Sequence, residues 1–138
     1  MDKAPDLTDL AAARPTGKPN DYLVLPRRWG LGPAHRPSPI FPVQAEVLAQ
    51  TVAIWLAKSP RVAVVARSDD GLQIEAEARS RLFRFIDRIS VRAVPRGTDR
   101  SALAFFSRAR TGYWDLGVNR RRGERLLAAL ETAVGSVR

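Results

Sequence analysis

The segment from residue 61 to residue 110 constrains the fold most, because apolar and polar residues alternate through it between turn signals. An Asp-Gly pair at Asp70 and Gly71 separates its first two apolar runs, and this pair favours a hairpin. Residues 72–81 then alternate strictly, which places every second side chain on the same face of a strand. The segment therefore predicts four consecutive antiparallel strands, with a bend or bulge near residues 82–85, where the alternation breaks.

A helix is predicted on each side of this segment. The first runs from Pro42, which suits a first helical turn, to Lys58, with an inner face of Val47, Leu48, Thr51, Ile54 and Trp55. The second follows a turn at Gly112, has Asp115 as its N-cap, and carries apolar positions Leu116, Leu126, Leu127, Leu130 and Val134. Asn119 and Gly123 share its apolar face, which indicates a specific hydrogen bond and a close backbone approach.

The predicted fold class is α+β, with two helices packed on one face of an antiparallel meander sheet of four to five strands. Residues 20–25 add an edge strand closed by Pro26, so the element order is β-α-β-β-β-β-α. Residues 27–42 contain too many prolines and glycines for regular structure. We expect residues 1–19 to form a flexible N-terminal arm and residues 20–138 to form a single α+β domain.

Positive charge is concentrated in the second part of the chain. The net charge is +9, and twenty of the 23 basic residues are arginines. Residues 1–78 hold nine basic and nine acidic side chains, whereas residues 79–138 hold fourteen and five. Arginine pairs bidentately with carboxylates and phosphates. This distribution indicates either a solvated surface or an anionic partner, namely an acidic lipid head group, an acidic protein surface or a nucleic acid.

Residues 76–87 and 107–120 resemble the bacterial and plastid family known as domain of unknown function 1499. The resemblance rests on an Arg-Ser-Arg-Leu-x-x-Phe-x-Asp core and a Gly-x-x-Asp-Leu-Gly-x-Asn-Arg core. It implies a fold and a set of family-typical positions but no reaction. Members often carry a signal or membrane anchor, so the resemblance implies an exported or membrane-facing location. The chain departs from the family pattern at Trp114 and Gly123. The family-typical positions are Glu77, Arg79, Arg81, Phe85, Asp87, Arg110, Gly112, Asp115, Gly117, Asn119 and Arg120.

Candidate site residues come from these motifs. As ligand-binding residues we predict Glu77, Arg79, Arg81, Arg110, Asn119 and Arg120. As structural residues we predict Asp87, Gly112, Asp115 and Gly117. The leading hypothesis is a non-catalytic binding or interaction domain whose arginine-rich face meets an anionic partner.

Two alternatives stay open. An enzyme of unknown reaction could use Glu77, Asp87 or Asp115 with neighbouring arginines. Nucleic acid could lie along the basic C-terminal helix at residues 120–125, with Tyr113 and Trp114 stacking on bases, although no known nucleic-acid motif is present.

Several chemistries find no support in the sequence. The chain has no cysteine and one histidine, His35, which we interpret as an ordinary loop residue. We therefore predict no catalytic nucleophile, no metal site and no cofactor. No apolar run reaches the length of a transmembrane segment. The sequence as it stands indicates a cytoplasmic protein, or an exported or anchored one if a signal or anchor was removed.

Overall fold

The computed structural model describes residues 6–80, 85–110, 112 and 115–137. Its centre is the predicted run of four antiparallel strands: β4 (Val62–Arg67), β5 (Gln73–Arg79), β6 (Ile86–Pro95) and β7 (Ser101–Ala109). Strict alternation buries Ile74, Ala76 and Ala78 of β5 on the face that carries the helices. The prediction of these four strands is confirmed. The bend expected near residues 82–85 falls mostly outside the described residues.

The sheet is larger than predicted and it is mixed. β1 (Asp21–Leu25) pairs antiparallel with β7, while β2 (Arg36–Pro37) pairs parallel with β1 and β3 (Ile40–Phe41) pairs with β7. The seven strands have the order β2-β1-β7-β6-β5-β4, with β3 off this path. The prediction of a purely antiparallel sheet of four to five strands was therefore wrong. Strands of two residues show no alternation, so the proline-rich segment gave no signal for them.

β1 is not an edge strand as predicted. It lies between β2 and β7, and all five of its residues are buried. Its side chains enter two different apolar clusters, one on each face of the sheet. A strand buried on both faces reads as a continuous apolar run, which sequence alone cannot distinguish from a short edge strand.

Both helices pack on the same face of the sheet, as predicted. α1 (Ala45–Lys58) and α2 (Val118–Val134) enclose the main core with the inner faces of β1, β5, β6 and β7. The inner face of α1 differs from the prediction, because Val47 and Ile54 are 42% and 56% exposed. Small residues take part in the helix–sheet contact instead, and the buried positions of α1 are Ala45, Leu48, Ala49, Val52 and Leu56.

α2 begins two residues later than predicted. Gly117 precedes its first residue in a left-handed conformation, with φ of 77°. Asp115 is therefore not the N-cap residue itself, yet its carboxylate accepts hydrogen bonds from the backbone N–H groups of Gly117 (2.7 Å) and Asn119 (3.0 Å). Leu116, predicted to lie on the apolar face, is exposed instead.

Residues 6–13, part of the predicted N-terminal arm, lie against the outer face of the sheet. A 3₁₀ turn over Leu10–Ala12 buries Leu10 with Leu23, Ala104 and Phe106. Thr8 contacts the side chains of β5, β6 and β7. The sheet is thus covered on one face by two helices and on the other by an N-terminal segment.

Candidate functional site

One end of the molecule contains a cleft of about 510 Å³ where four elements finish or begin. α1 ends there, β5 ends beside the beginning of β4, and α2 begins above them. The end of α1 and the beginning of β4 are close in the chain, antiparallel pairing brings the end of β5 beside them, and packing of α2 on the sheet adds the most distant element. The cleft is lined by Trp55, Lys58, Ser59, Pro60, Arg61, Val62, Ala78, Arg79, Ser80, Val118, Arg122 and Arg125.

The residues that line the cleft include five basic residues and no Asp or Glu. Lys58, Arg61 and Arg79 form no ion pair with any carboxylate of the described residues. Like charges gathered in a concave, partly apolar surface focus the electric field and raise the local concentration of anions. The arrangement therefore suits an anionic group.

Backbone hydrogen bonds fix the positions of Arg61 and Arg79 in the main chain beside the turn after α1. The Ser59 hydroxyl donates to the Trp55 carbonyl (2.7 Å), which closes the helix before Pro60. Arg61 has a left-handed backbone, with φ of 59°, and its carbonyl accepts a hydrogen bond from the N–H of Arg79 (2.9 Å). This bond ties the turn to the end of β5.

Arg122 is held at the base of the cleft by a buried polar network. Its Nη1 donates to Asp87 Oδ2 (3.2 Å), Ser107 Oγ (3.0 Å) and Asn119 Oδ1 (2.7 Å). Burial lowers the pKa of Arg122 and raises the pKa of Asp87, and the mutual attraction of the two opposes both shifts. We infer that the pair stays ionised, since each side chain would otherwise leave the other as a buried unpaired charge.

Asn119 satisfies all of its hydrogen-bonding groups in this network. Its Oδ1 accepts from Arg122 and from Ser107, and its Nδ2 donates to the Asn20 carbonyl (3.1 Å) and to Asp115 Oδ2 (2.8 Å). The amide therefore joins α2 to β1 and β7, as a polar residue in an apolar face predicts. Its side chain is completely buried and does not line the cleft.

The structure does not gather the other predicted ligand-binding residues with Arg79. Glu77 lies on the outer face, where Arg110 Nη1 donates to its Oε2 (3.3 Å) beside a shallow hollow of about 490 Å³. Arg120 is exposed on α2. Arg81 lies outside the described residues, as do Tyr113 and Trp114. Of the structural candidates, Gly112 accepts a hydrogen bond through its carbonyl from Asn20 Nδ2 (2.7 Å).

A second buried polar cluster surrounds Glu75 on the outer face. The carboxylate accepts from Arg88 Nε (2.9 Å), Ser90 Oγ (2.6 Å), Gln73 Nε2 (2.9 Å) and the N–H of Thr8 (3.0 Å). Burial acts to raise the pKa of Glu75, but these hydrogen bonds outweigh it and hold the pKa below its usual range. The cluster fastens the N-terminal segment to the sheet.

Of the three carboxylates in the enzyme alternative, Asp87 and Asp115 belong to the same polar network, but Glu77 lies apart from them. Residues 77 and 87 lie on opposite faces of the sheet, because Asp87 stands opposite Ala78 in the β5–β6 register and Glu77 stands opposite Arg88. Asp115 accepts hydrogen bonds from the beginning of α2. Within the described residues there is no group of three or more His, Cys, Asp or Glu side chains suited to a metal ion.

His35 packs against β1, and the arginines at the beginning of α2 divide between the interior and the surface. His35 stacks on Tyr22, with ring centroids 5.4 Å apart, and its Nδ1 accepts from the N–H of Leu23 (2.8 Å), so it is part of the packing around β1. Among the arginines at 120–122, Arg122 points inward to Asp87, while Arg120 and Arg121 are exposed.

Sequence reasoning did not connect Trp55, Lys58 and Arg61 with a site. They flank the Ser-Pro stop of α1, and nothing in that pattern distinguishes a lining residue from a solvated one. Arg125 lies about one helical turn after Arg121 on α2. The packing of α2 on the sheet, and not the local sequence, determines that Arg125 lines the cleft. The cleft depends on the tertiary arrangement, so local patterns could not reveal it.

Comparison with known proteins adds a family and a distant structural likeness. A family model described as "Protein of unknown function (DUF1499)" matches residues 12–130. No curated protein matches the chain. A solved structure described as a START superfamily protein from Mycobacterium smegmatis is similar at 18% identity and a TM-score of 0.38, covering 70% of this chain and 93% of that one. Neither helix of the described residues has the length and hydropathy of a membrane span.

Proposed function

The chain belongs to the DUF1499 family, whose description gives no activity, and from the geometry of its own residues we propose that it binds an anionic molecule in the cleft between its two helices. The anion would be a phosphate or a carboxylate, and the role would be binding rather than catalysis. This narrows the arginine-rich face expected from the sequence to one concave site. The observation that carries the proposal is a lining that includes five basic residues and no Asp or Glu, and of these five only Arg122 pairs with a carboxylate of the described residues.

The lining supports a ligand with both a charged and an apolar part. Trp55, Val62 and Val118 contribute apolar surface beside the cations. Pockets that bind small molecules combine such walls with a few oriented polar groups. A guanidinium can bind an oxyanion with two parallel hydrogen bonds, and within the described residues neither Arg61 nor Arg79 forms an ion pair with a carboxylate. We therefore propose an amphiphilic anion as the ligand class.

Preorganisation also supports the proposal. Arg122 Nη1 already donates hydrogen bonds to Asp87 and Asn119. The Arg122 side chain would therefore lose little further conformational entropy when a ligand binds. Arg61 occupies a left-handed conformation, which costs a non-glycine residue roughly 1–2 kcal/mol and is tolerated best by glycine and asparagine. A strained, exposed arginine contributes charge to the cleft rather than stability to the fold.

Phenyl phosphate, titrated into the protein and followed by ¹H–¹⁵N NMR, tests the proposal. We expect saturable shifts at the Trp55 indole N–H and at the backbone amides of Ser59, Arg61 and Val62, and no saturable shifts with benzyl alcohol, which lacks the charge. Hydrogen bonds to charged groups contribute about 1.5–3 kcal/mol, so Arg61→Asn should weaken binding at least fivefold. The same change should leave the unfolding temperature equal or higher, because asparagine fits the left-handed position better.

Arg100→Gln is the matched control, because Arg100 is an exposed arginine at the far end of the sheet, between β6 and β7. It removes the same charge and should leave the affinity for phenyl phosphate unchanged. The proposal fails if no saturable shift occurs at the cleft, or if Arg100→Gln weakens binding as much as Arg61→Asn does.

A further inference from the structure

Two large apolar side chains are exposed beside the cleft. Phe85 is 56% exposed and Leu116 is 63% exposed. Phe85 exchanges backbone and side-chain hydrogen bonds with Ser80, a lining residue. Leu116 lies two positions before Val118, another lining residue. Phe85 and Leu116 are therefore close neighbours of residues that line the cleft.

A leucine at position 116 does not favour the stability of the folded protein. Its backbone is left-handed, with φ of 58°, where a bulky side chain is a conformational outlier. Its side chain buries little surface in return. A leucine that is both strained and exposed indicates a role outside the folded monomer.

The charges at this end are complementary to an anionic surface. The cleft contributes Lys58, Arg61, Arg79 and Arg125, and Arg121 is exposed on the first turn of α2. The described carboxylates nearby are already engaged, since Glu77 pairs with Arg110, Asp87 with Arg122, and Asp115 with the beginning of α2. Cations surrounding apolar side chains are characteristic of surfaces that lie in a membrane interface.

We propose that this end of the protein docks on a bilayer that contains anionic phospholipid. Phe85 and Leu116 would enter the interfacial region, while the cleft cations would meet head-group phosphates. The inference rests on the proposed function, because the same cations serve in both, and it identifies the anion as part of a membrane surface.

Co-sedimentation with lipid vesicles tests the docking. The wild-type protein should bind vesicles of phosphatidylcholine with 30% phosphatidylglycerol, should bind pure phosphatidylcholine vesicles at least tenfold more weakly, and should lose binding as salt rises. Leu116→Asn should reduce binding at least fivefold while its unfolding temperature stays equal or rises, since asparagine relieves the strain. Phe85→Ser should reduce binding similarly.

The control is Leu31→Asn. Leu31 is 65% exposed and follows the opposite end of β1, in a loop that also carries arginines and Trp29. This variant should bind like the wild type. The docking proposal is overturned if the wild type binds neither vesicle, binds both equally, or loses as much binding through Leu31→Asn as through Leu116→Asn.

Phenyl phosphate separates this inference from the proposed function. If phenyl phosphate fills the cleft but anionic vesicles do not bind, docking is refuted and the cleft function stands. If vesicles bind through Leu116 but phenyl phosphate does not shift the cleft, the cleft is refuted as the anion site.

Discussion

Gly123 lies where α2 comes closest to the sheet. A Cβ atom at this position would meet the Tyr22 ring at 2.7 Å and the Phe105 ring at 2.9 Å. Both rings are buried, and Tyr22 is further held by its hydroxyl on Glu124 and by stacking on His35. Gly123→Ala gains up to about 1 kcal/mol of helix propensity, but overpacking a tight contact costs about 1–3 kcal/mol. We expect a lower free energy of unfolding in urea, measured by circular dichroism.

Ala128→Gly, at an exposed position of the same helix, calibrates the propensity effect and should also destabilise, by about 1 kcal/mol. Stabilisation by Gly123→Ala would contradict the close approach.

At the residue scale, the sequence predicted much of this contact. Asn119 and Gly123 interrupt an apolar face, and the structure confirms the hydrogen bond and the close approach that they indicated. The sequence could not identify Tyr22 as the residue that Gly123 approaches. Burial and the Glu124 hydrogen bond raise the pKa of Tyr22 to about 12.

At the scale of elements, the predicted strands and helices have the strongest local patterns. β4 to β7 were predictable because alternation and turns specify them together. β2 and β3 were not, since their pairing involves only two residues each. The cleft was not predictable either, because α1, β5 and α2 contribute to it from distant parts of the chain. Among the described residues, Arg79 is the one that belongs both to the predicted ligand-binding set and to the lining of the cleft.

The beginning of α2 depends on Asp115, although the helix starts three residues later. Its carboxylate accepts from two backbone N–H groups and from Asn119 Nδ2. Asp115→Ala removes these acceptors and should lower the free energy of unfolding by about 1–2 kcal/mol. Asp115→Asn, which keeps one acceptor oxygen, should lose less. Thermal unfolding of both variants measures the difference, and equal stability of the wild type and Asp115→Ala would mean that the carboxylate does not stabilise the helix.

At the scale of the whole molecule, the two faces of the sheet have separate roles. The helical face contains the larger core and ends in the cation-lined cleft. The outer face has its own smaller core, in which the N-terminal segment covers β1, β6 and β7. Because the sheet separates them, a change in the outer core should alter stability without altering the cleft.

Leu10 tests this separation and the contribution of the N-terminal segment together. Its side chain is fully buried on the outer face, and replacing such a leucine by alanine costs about 2–5 kcal/mol. Leu10→Ala should therefore lower the urea midpoint clearly, whereas Leu7→Ala, at a side chain 40% exposed in the same segment, should lower it much less. Neither change should alter the affinity for phenyl phosphate, since neither residue lines the cleft. If Leu10→Ala left stability unchanged, the segment would contribute nothing to the fold. If it weakened phenyl phosphate binding in protein that remains folded, the two faces would not be independent.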